Sequence, residues 1–209
     1  MDHLIEELIK EGYLKTPAII DAFRKIKRED FVLPEDEKYV SVNAPLAIGH
    51  GQTISQPLTV AFMLELLRPK EGDNILDVGS GSGWTPALLS HIVGRQGKVY
   101  AIEIVPELKK FGEENTAKYN FIKKGIARFF CVNGREGLLE FAPFDKILVS
   151  AASEDIPAKL LEQLKVGGRL VIPVGKQYES QDIAVIDKQG KDKFKEKKFS
   201  GFVFVPLVK

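Results

Sequence analysis

"NILDVGSGSGWTPALLSHIVGRQGKVYAIE", Asn74 to Glu103, decides how this chain folds. A short apolar run, "NILDV", predicts a buried strand and breaks on glycines at alternate positions, Gly79, Gly81 and Gly83. "WTPALLSHIVG" then predicts a helix and "KVYAIE" a second strand. Strand, turn, helix, strand is the repeating unit of a parallel sheet, because parallel neighbours need a crossover between them. Glycines at the turn let the backbone bend sharply and approach a ligand, and the helix start beyond them offers unpaired N–H groups. In an open α/β sheet the end of such a strand is where a ligand binds.

Outward from this unit the alternation continues. "PELKKFGEENTAKYN" predicts a helix, "ARFFCVN" and "FDKILVSA" strands, "IPAKLLEQLKVGG" a helix and "RLVIPVG" a fifth strand. The whole is expected to be α/β, a doubly wound, mostly parallel sheet with crossover helices on both faces. The tail, "DIAVIDKQGKDKFKEKKFSGFVFVPL", holds two strands around a lysine-rich turn and predicts an antiparallel hairpin on one sheet edge. Upstream, Leu4, Ile5, Leu8 and Ile9 share one helix face, and "TPAIIDAFRKI" repeats the period behind Thr16 and Pro17. "REDFVLPEDEKYVSVN" reads as surface connection, and a third helix is expected from about Pro57 to Leu67. No repeat or linker divides the chain, so it reads as one domain. Residues 1–70 form an N-terminal helical and substrate-segment region, 71–175 the cofactor-binding core and 176–209 the C-terminal edge strands.

Composition excludes several function classes. With 209 residues, 44% hydrophobic, the chain is long enough to bury a substantial core. Thirty Lys and Arg stand against 29 Asp and Glu, a formal net charge of +1, so no long-range field favours nucleic acid or an anionic membrane. Charges interrupt the apolar residues of "MDHLIEELIKEGYL", which fits neither a signal peptide nor a membrane span, and a cytoplasmic protein is expected. The lone cysteine, Cys131, lies in an apolar run and is expected to be a small core residue. His3, His50 and His91 show no metal-ligand spacing, and no metal is expected.

Spacing narrows the ligand of the glycine loop. A dinucleotide loop needs glycine where Trp84 stands, and a P-loop needs a terminal Lys followed by Ser or Thr, which is absent. Asp77 instead precedes a G-x-G-x-G, the pattern of methyltransferases that bind S-adenosyl-L-methionine. Glu103, at the end of the second strand, suits two ribose hydroxyls. At the end of "ARFFCVN", Asn133 offers an amide oxygen and Gly134 an N–H to the edge of an adenine.

One stretch is left over. "APLAIGHGQTISQP", Ala44 to Pro57, is too apolar for a solvated linker and too rich in glycine for an ordinary helix or strand. Its "GHGQTISQP" resembles the G-x-G-Q-T-I-S-x-P segment of protein-L-isoaspartate O-methyltransferases. "ILDVGSGSGW", "VYAIEIVPEL", "FDKILVSAASEDIPAKLLEQLKVGGRLVIPVG" and "FVFVPLV" extend the likeness over most of the chain from Phe31 onward. The resemblance implies a Rossmann-like class I methyltransferase fold. It implies methyl transfer from S-adenosyl-L-methionine to the α-carboxylate of L-isoaspartyl residues in damaged peptides and proteins, which starts repair through a succinimide. It further implies Ser55 at the reacting carboxyl with Thr53 and Ile54 lining its pocket. Asp77, Gly79, Ser80 and Gly81 would hold the methionine portion, Glu103 the ribose, and Asn133 with Gly134 the adenine. The family usually carries Asp where this chain has Asn133 and Tyr where it has Trp84, and the tail ends sooner than in some relatives. The expected protein works as a monomer on isoaspartyl peptides and proteins, with no nucleic acid and no membrane.

An isoaspartyl carboxylate is ionised at neutral pH and is itself the nucleophile, so the site needs no base. That leaves His50 as a loop residue shaping the pocket and gives Ser55 an orienting role; the plainer reading of Ser55 is N-cap of the helix from Pro57. Two alternatives stay open. One is a methyltransferase for another carboxylate; amino-directed nucleic-acid enzymes are discounted, since "SAASEDIP" stands where they carry N/D-P-P-Y/F/W. The other is a relative that binds the cofactor without turnover.

Overall fold

Residues 1–177 and 179–208 are described by the computed structural model. Two helices open the chain, α1 (Asp2–Lys10) and α2 (Pro17–Lys25), followed by a small hairpin of β1 (Leu46–Gly49) and β2 (Gln52–Ile54) and helix α3 (Pro57–Leu67). The main sheet is then laid down by β3 (Asn74–Val78), α4 (Trp84–Val93), β4 (Lys98–Glu103), α5 (Pro106–Ala117) and β5 (Ala127–Cys131). It is completed by β6 (Phe144–Val149), α6 (Ala158–Gln163), β7 (Leu164–Val174), β8 (Gln181–Gly190) and β9 (Lys193–Phe202).

The seven strands lie in the order β5-β4-β3-β6-β7-β8-β9. The first five are parallel, and β8 and β9 run antiparallel, forming the hairpin expected of the tail. Alternate residues divide the core between the two faces. Ile75, Val99, Leu148 and Val171 face the larger cluster with the inner sides of α1 to α5. Leu76, Val78, Ile147 and Ile172 face a smaller one covered by α6 and the turns around Leu138 and Phe141. The strand order reverses between β4 and β6, on either side of β3, and the glycine loop leaves the sheet at that reversal, the position where doubly wound sheets open a crevice.

Several expectations change. Cys131 is exposed rather than buried, because β5 is the edge strand and Cys131 is its last residue. The helix expected over "IPAKLLEQLKVGG" is only α6; β7 begins at Leu164, where Gln163 turns its side chain to Leu138 N–H and the Glu136 carbonyl. The polar connection "REDFVLPEDEKYVSVN" is not all surface: it forms 3₁₀ turns over Arg28–Phe31 and Pro34–Tyr39, and Arg28 and Phe31 are fully buried. Beyond β9 the chain leaves the sheet. Residues 203–208 cross back as a strap, with Ala152 N–H donating to the Val205 carbonyl at 2.8 Å and Leu207 N–H to the Ala152 carbonyl at 2.7 Å.

Candidate active site

The glycine loop owes its shape to backbone freedom at three positions. Gly79, Gly81 and Gly83 have φ of 78°, 50° and 91°, values that side-chain-bearing residues rarely adopt. Gly83 is also pressed against α5: a Cβ there would lie 2.4 Å from the Gly112 carbonyl oxygen. Helix α5 grips the loop by side chains too, with Asn115 Nδ2 donating to the Ser82 carbonyl at 3.1 Å and Thr116 Oγ1 to that of Gly83 at 3.2 Å.

Two carboxylates stand at the strand ends behind this loop. Asp77 is 0% exposed; its Oδ2 accepts from Thr85 Oγ1 at 3.0 Å and its Oδ1 has no partner among the described residues. Burial pushes this carboxyl up to about 7, the Thr85 hydrogen bond opposes the shift, and the charge of Glu103 adds to it. Glu103 accepts from three backbone groups: Gly81 N–H on Oε2 at 3.0 Å, and those of Ile104 and Val105 on Oε1 at 2.8 and 3.1 Å. It therefore shapes the loop as well as facing the cleft, a role that no spacing in the chain announces.

Between the loop and the β1-β2 hairpin runs a cleft of about 810 Å³, open solvent at its mouth included. Gly79, Ser80, Gly81, Glu103 and Gly134 line it from the sheet, and Thr53, Ile54 and Ser55 from the hairpin side. Asn133 does not line it: its Oδ1 accepts from Arg135 N–H at 2.9 Å, capping the turn that begins at Gly134. Asp77 sits one layer behind the lining. Ser80 Oγ and Trp84 Nε1 join Asp77 Oδ1 as buried polar atoms without a partner among the described residues. Such orphans are costly unless a ligand supplies the missing hydrogen bonds, so this part of the cleft suits a polar, cation-bearing molecule such as S-adenosyl-L-methionine.

The leftover stretch is a hairpin whose turn takes consecutive residues through positive φ: Gly49 at 88°, His50 at 53° and Gly51 at 69°. His50 is exposed at that turn, outside the cleft. Ser55 does not cap α3. The cap position is Gln56, without a side-chain bond, and Asn43 Oδ1 instead accepts from Leu58 N–H at 3.1 Å. Among the described residues the Ser55 hydroxyl has no hydrogen-bond partner, while its carbonyl accepts from Arg28.

Behind the hairpin lies a second, outer groove of about 1140 Å³, bordered by Thr59, Gln177, Val203 and Phe204. Gln52, Thr53, Ser55, Ser150, Val205 and Pro206 line both spaces and form the wall between them. Val205 and Pro206 belong to the strap; of this the sequence carried only the apolar "FVFVPLV", which reads as an ordinary edge strand.

Comparison with known proteins gives a consistent picture. The family model described as protein-L-isoaspartate(D-aspartate) O-methyltransferase matches residues 1–209. The chain is 41% identical over 206 residues to the protein-L-isoaspartate O-methyltransferase of Thermococcus onnurineus, covering 99% of this chain and 92% of that one. It is 40% identical to that of Methanococcus aeolicus, covering 100% and 94%. Among solved structures, a Plasmodium falciparum protein assigned to the same activity, in complex with S-adenosyl-L-homocysteine, superposes with a TM-score of 0.84 over 99% of this chain and 97% of that one; at 24% identity it speaks for the fold. A further protein-L-isoaspartate O-methyltransferase structure gives 0.85 at 27% identity, over 98% of this chain and 65% of that one.

Proposed function

The chain belongs to the protein-L-isoaspartate(D-aspartate) O-methyltransferase family, and from that premise we propose how its own residues carry out the reaction. The enzyme transfers a methyl group from S-adenosyl-L-methionine to the α-carboxylate of L-isoaspartyl residues in damaged peptides and proteins, the first step of their repair. The observation that carries the assignment of roles is Ser55, which stands in the wall between the inner cleft and the outer groove with its hydroxyl without a hydrogen-bond partner among the described residues.

In this reading the inner cleft holds the donor. Ser80 and Gly81 border its methionine portion, with Gly79 shaping the turn and Asp77 behind it offering an unpaired oxygen to a cationic group. Glu103 keeps acceptor capacity for the ribose beyond its three backbone bonds, since an ionised carboxylate has about four lone-pair sites. Gly134 meets the adenine edge, and Asn133 serves that contact by fixing the turn that presents Gly134. When bound, S-adenosyl-L-methionine supplies a methyl group on a sulfonium centre, which the acceptor carboxylate takes up as an ester. The protein's share is alignment. Holding two reactants in line is worth roughly 7–11 kcal/mol of barrier, so a hydroxyl and backbone groups suffice where no proton has to be removed. Ser55 Oγ donates to the acceptor carboxylate, Thr53 and Ile54 shape the space beside it, and the outer groove takes the flanking peptide.

In this reading the protein acts as a monomer; the near-zero net charge supports a peptide rather than a nucleic-acid acceptor. Among the described residues no helix is long and apolar enough to cross a membrane, and we place the activity in the cytoplasm. Methyl transfer to a matched pair of peptides, one isoaspartyl and one aspartyl at the same position, tests the reading. Label on the isoaspartyl peptide alone is expected, and label on neither, with donor binding intact, would contradict it.

A further inference from the structure

Arg28 is the largest fully buried side chain in the described protein, and among the described residues no carboxylate pairs with it. An uncompensated buried cation is expensive, and a hydrophobic residue of similar volume would fill the space more cheaply. Burial lowers its pKa to about 10, so the guanidinium stays charged at neutral pH.

What it touches is specific. Nη1 donates to the carbonyls of Val40 and Val42, both at 3.1 Å, and Nη2 to that of Ala44 at 2.7 Å and of Ser55 at 3.2 Å. The Ser55 carbonyl is not taken up by α3, whose first backbone bond runs from Val60 N–H to Gln56. On its other side the guanidinium carbon lies 5.5 Å from the ring centroid of Trp84, which lines the inner cleft. The turn carrying Arg28 is itself tied to the end of α5: Tyr119 Oη donates to Asp30 Oδ2 at 2.6 Å and accepts from Lys27 N–H at 2.8 Å. Helix α5 is the same element that grips the glycine loop through Asn115 and Thr116.

We propose that Arg28 is a positioning residue for methyl transfer: its two terminal nitrogens tie the approach to the hairpin, residues 40–44, to Ser55, and hold both against the Trp84 wall of the donor cleft. The side chain of Ser55 is thereby set relative to the donor by a group that touches neither reactant. This rests on the reading of Ser55 given above. A lysine ammonium keeps the charge and the contact with Trp84 but cannot span four carbonyls from two nitrogens.

Arg28→Lys is therefore the test, assayed with isoaspartyl peptide at a temperature where circular dichroism shows it fully folded. The expected result is a kcat reduced by about 10²-fold, the size of an ångström-scale misplacement, with the Kd for S-adenosyl-L-methionine changed less than about fivefold. Combined with Ser55→Ala, the loss should not exceed that of the more damaging single change, because both remove the same alignment. A wild-type kcat in Arg28→Lys overturns the proposal, and so do losses that multiply in the double variant, the signature of general loosening. If that variant does not fold, Arg28→Gln, neutral and still a donor, takes its place; failure of both to fold makes Arg28 a folding residue and overturns the proposal. Wild-type protein that methylates no isoaspartyl peptide would overturn the reading of Ser55 and the proposal with it, whereas active wild type beside an unimpaired Arg28→Lys removes the proposal alone.

Discussion

The two walls of the cleft are built in opposite ways. The glycine loop is wedged between β3, β4 and α5, with its carboxylates at the ends of core strands and backbone atoms so close that only glycine fits at Gly83. The hairpin wall is a short two-stranded piece whose turn is open: a Cβ at Gly49 or Gly51 would meet nothing within 4 Å. Its placement comes from Ile48 and Ile54, buried in the core, and from remote side chains at its ends, Arg28 bonding the Ala44 and Ser55 carbonyls and Asn43 the Leu58 N–H, while Val205 and Pro206 of the strap line the same cleft. The glycine-loop wall is fixed by close backbone packing, while the hairpin wall combines the burial of Ile48 and Ile54 in the core with a few directed hydrogen bonds at its ends. Such a division suits an enzyme with one invariant donor and many different damaged peptides.

The contrast can be broken first at Asp77. Its carboxyl, raised by burial to about 7, keeps its proton in the folded protein over a range where the unfolded chain has lost it. Folded protein then binds more protons than unfolded, so stability should fall as pH rises from about 4 to about 7 and level off above, by up to about 4 kcal/mol. Asp77→Asn should flatten that slope in denaturant titrations without ligand. A slope that persists would move the pH-sensitive element away from the donor wall.

Next in size is a pair of glycine substitutions. Gly83→Ala combines left-handed φ with a 2.4 Å approach to the Gly112 carbonyl and should lose about 3 kcal/mol of stability along with donor binding. Gly49→Ala carries the φ strain alone and should lose about 1 kcal/mol. Equal losses in urea unfolding would erase the distinction between a packed and an open wall.

A smaller effect than at Gly83 is expected at Glu103. Glu103→Gln keeps one acceptor oxygen but loses the charge and, with the amide nitrogen in place of Oε2, the Gly81 bond, one of its three to the backbone, so the Kd for S-adenosyl-L-methionine should rise by about tenfold, near 1.4 kcal/mol. Because Gly81 N–H loses a strong acceptor, the unliganded protein should unfold at lower denaturant as well. Calorimetry showing unchanged affinity would take Glu103 out of the donor site.

The donor wall was legible in the sequence because its determinants are local. Glycines at alternate positions after an apolar strand, and an acid at the end of the next strand, need only the βαβ pattern to be placed. The acceptor wall was legible only through its likeness to a family segment. Arg28 sits in "KIKREDF", which looks solvated until the 3₁₀ turn and the carbonyls of residues 40–55 close around it. Asn43 caps a helix that starts fourteen positions later, so no local capping pattern announces it. The strap is brought to the cleft by β-bridge contacts between Ala152 and Pro206, a pairing no periodicity encodes. Cys131 was misplaced for a related reason, since an apolar run gives strand type but not whether the strand lies at the edge. Asn133 shows the limit from the other side: the residue type allows an adenine contact, while in the fold its amide oxygen accepts from Arg135 N–H and the residue stays out of the cleft lining.

Ser55 is proposed to serve the acceptor side of the wall, a role tested most directly by the split between donor affinity and methyl transfer in Ser55→Ala. Donor affinity at the wild-type value with transfer to isoaspartyl peptide reduced by about 10²-fold is the predicted result. Wild-type transfer in that variant, or a loss of donor binding that accounts for the whole defect, would contradict it.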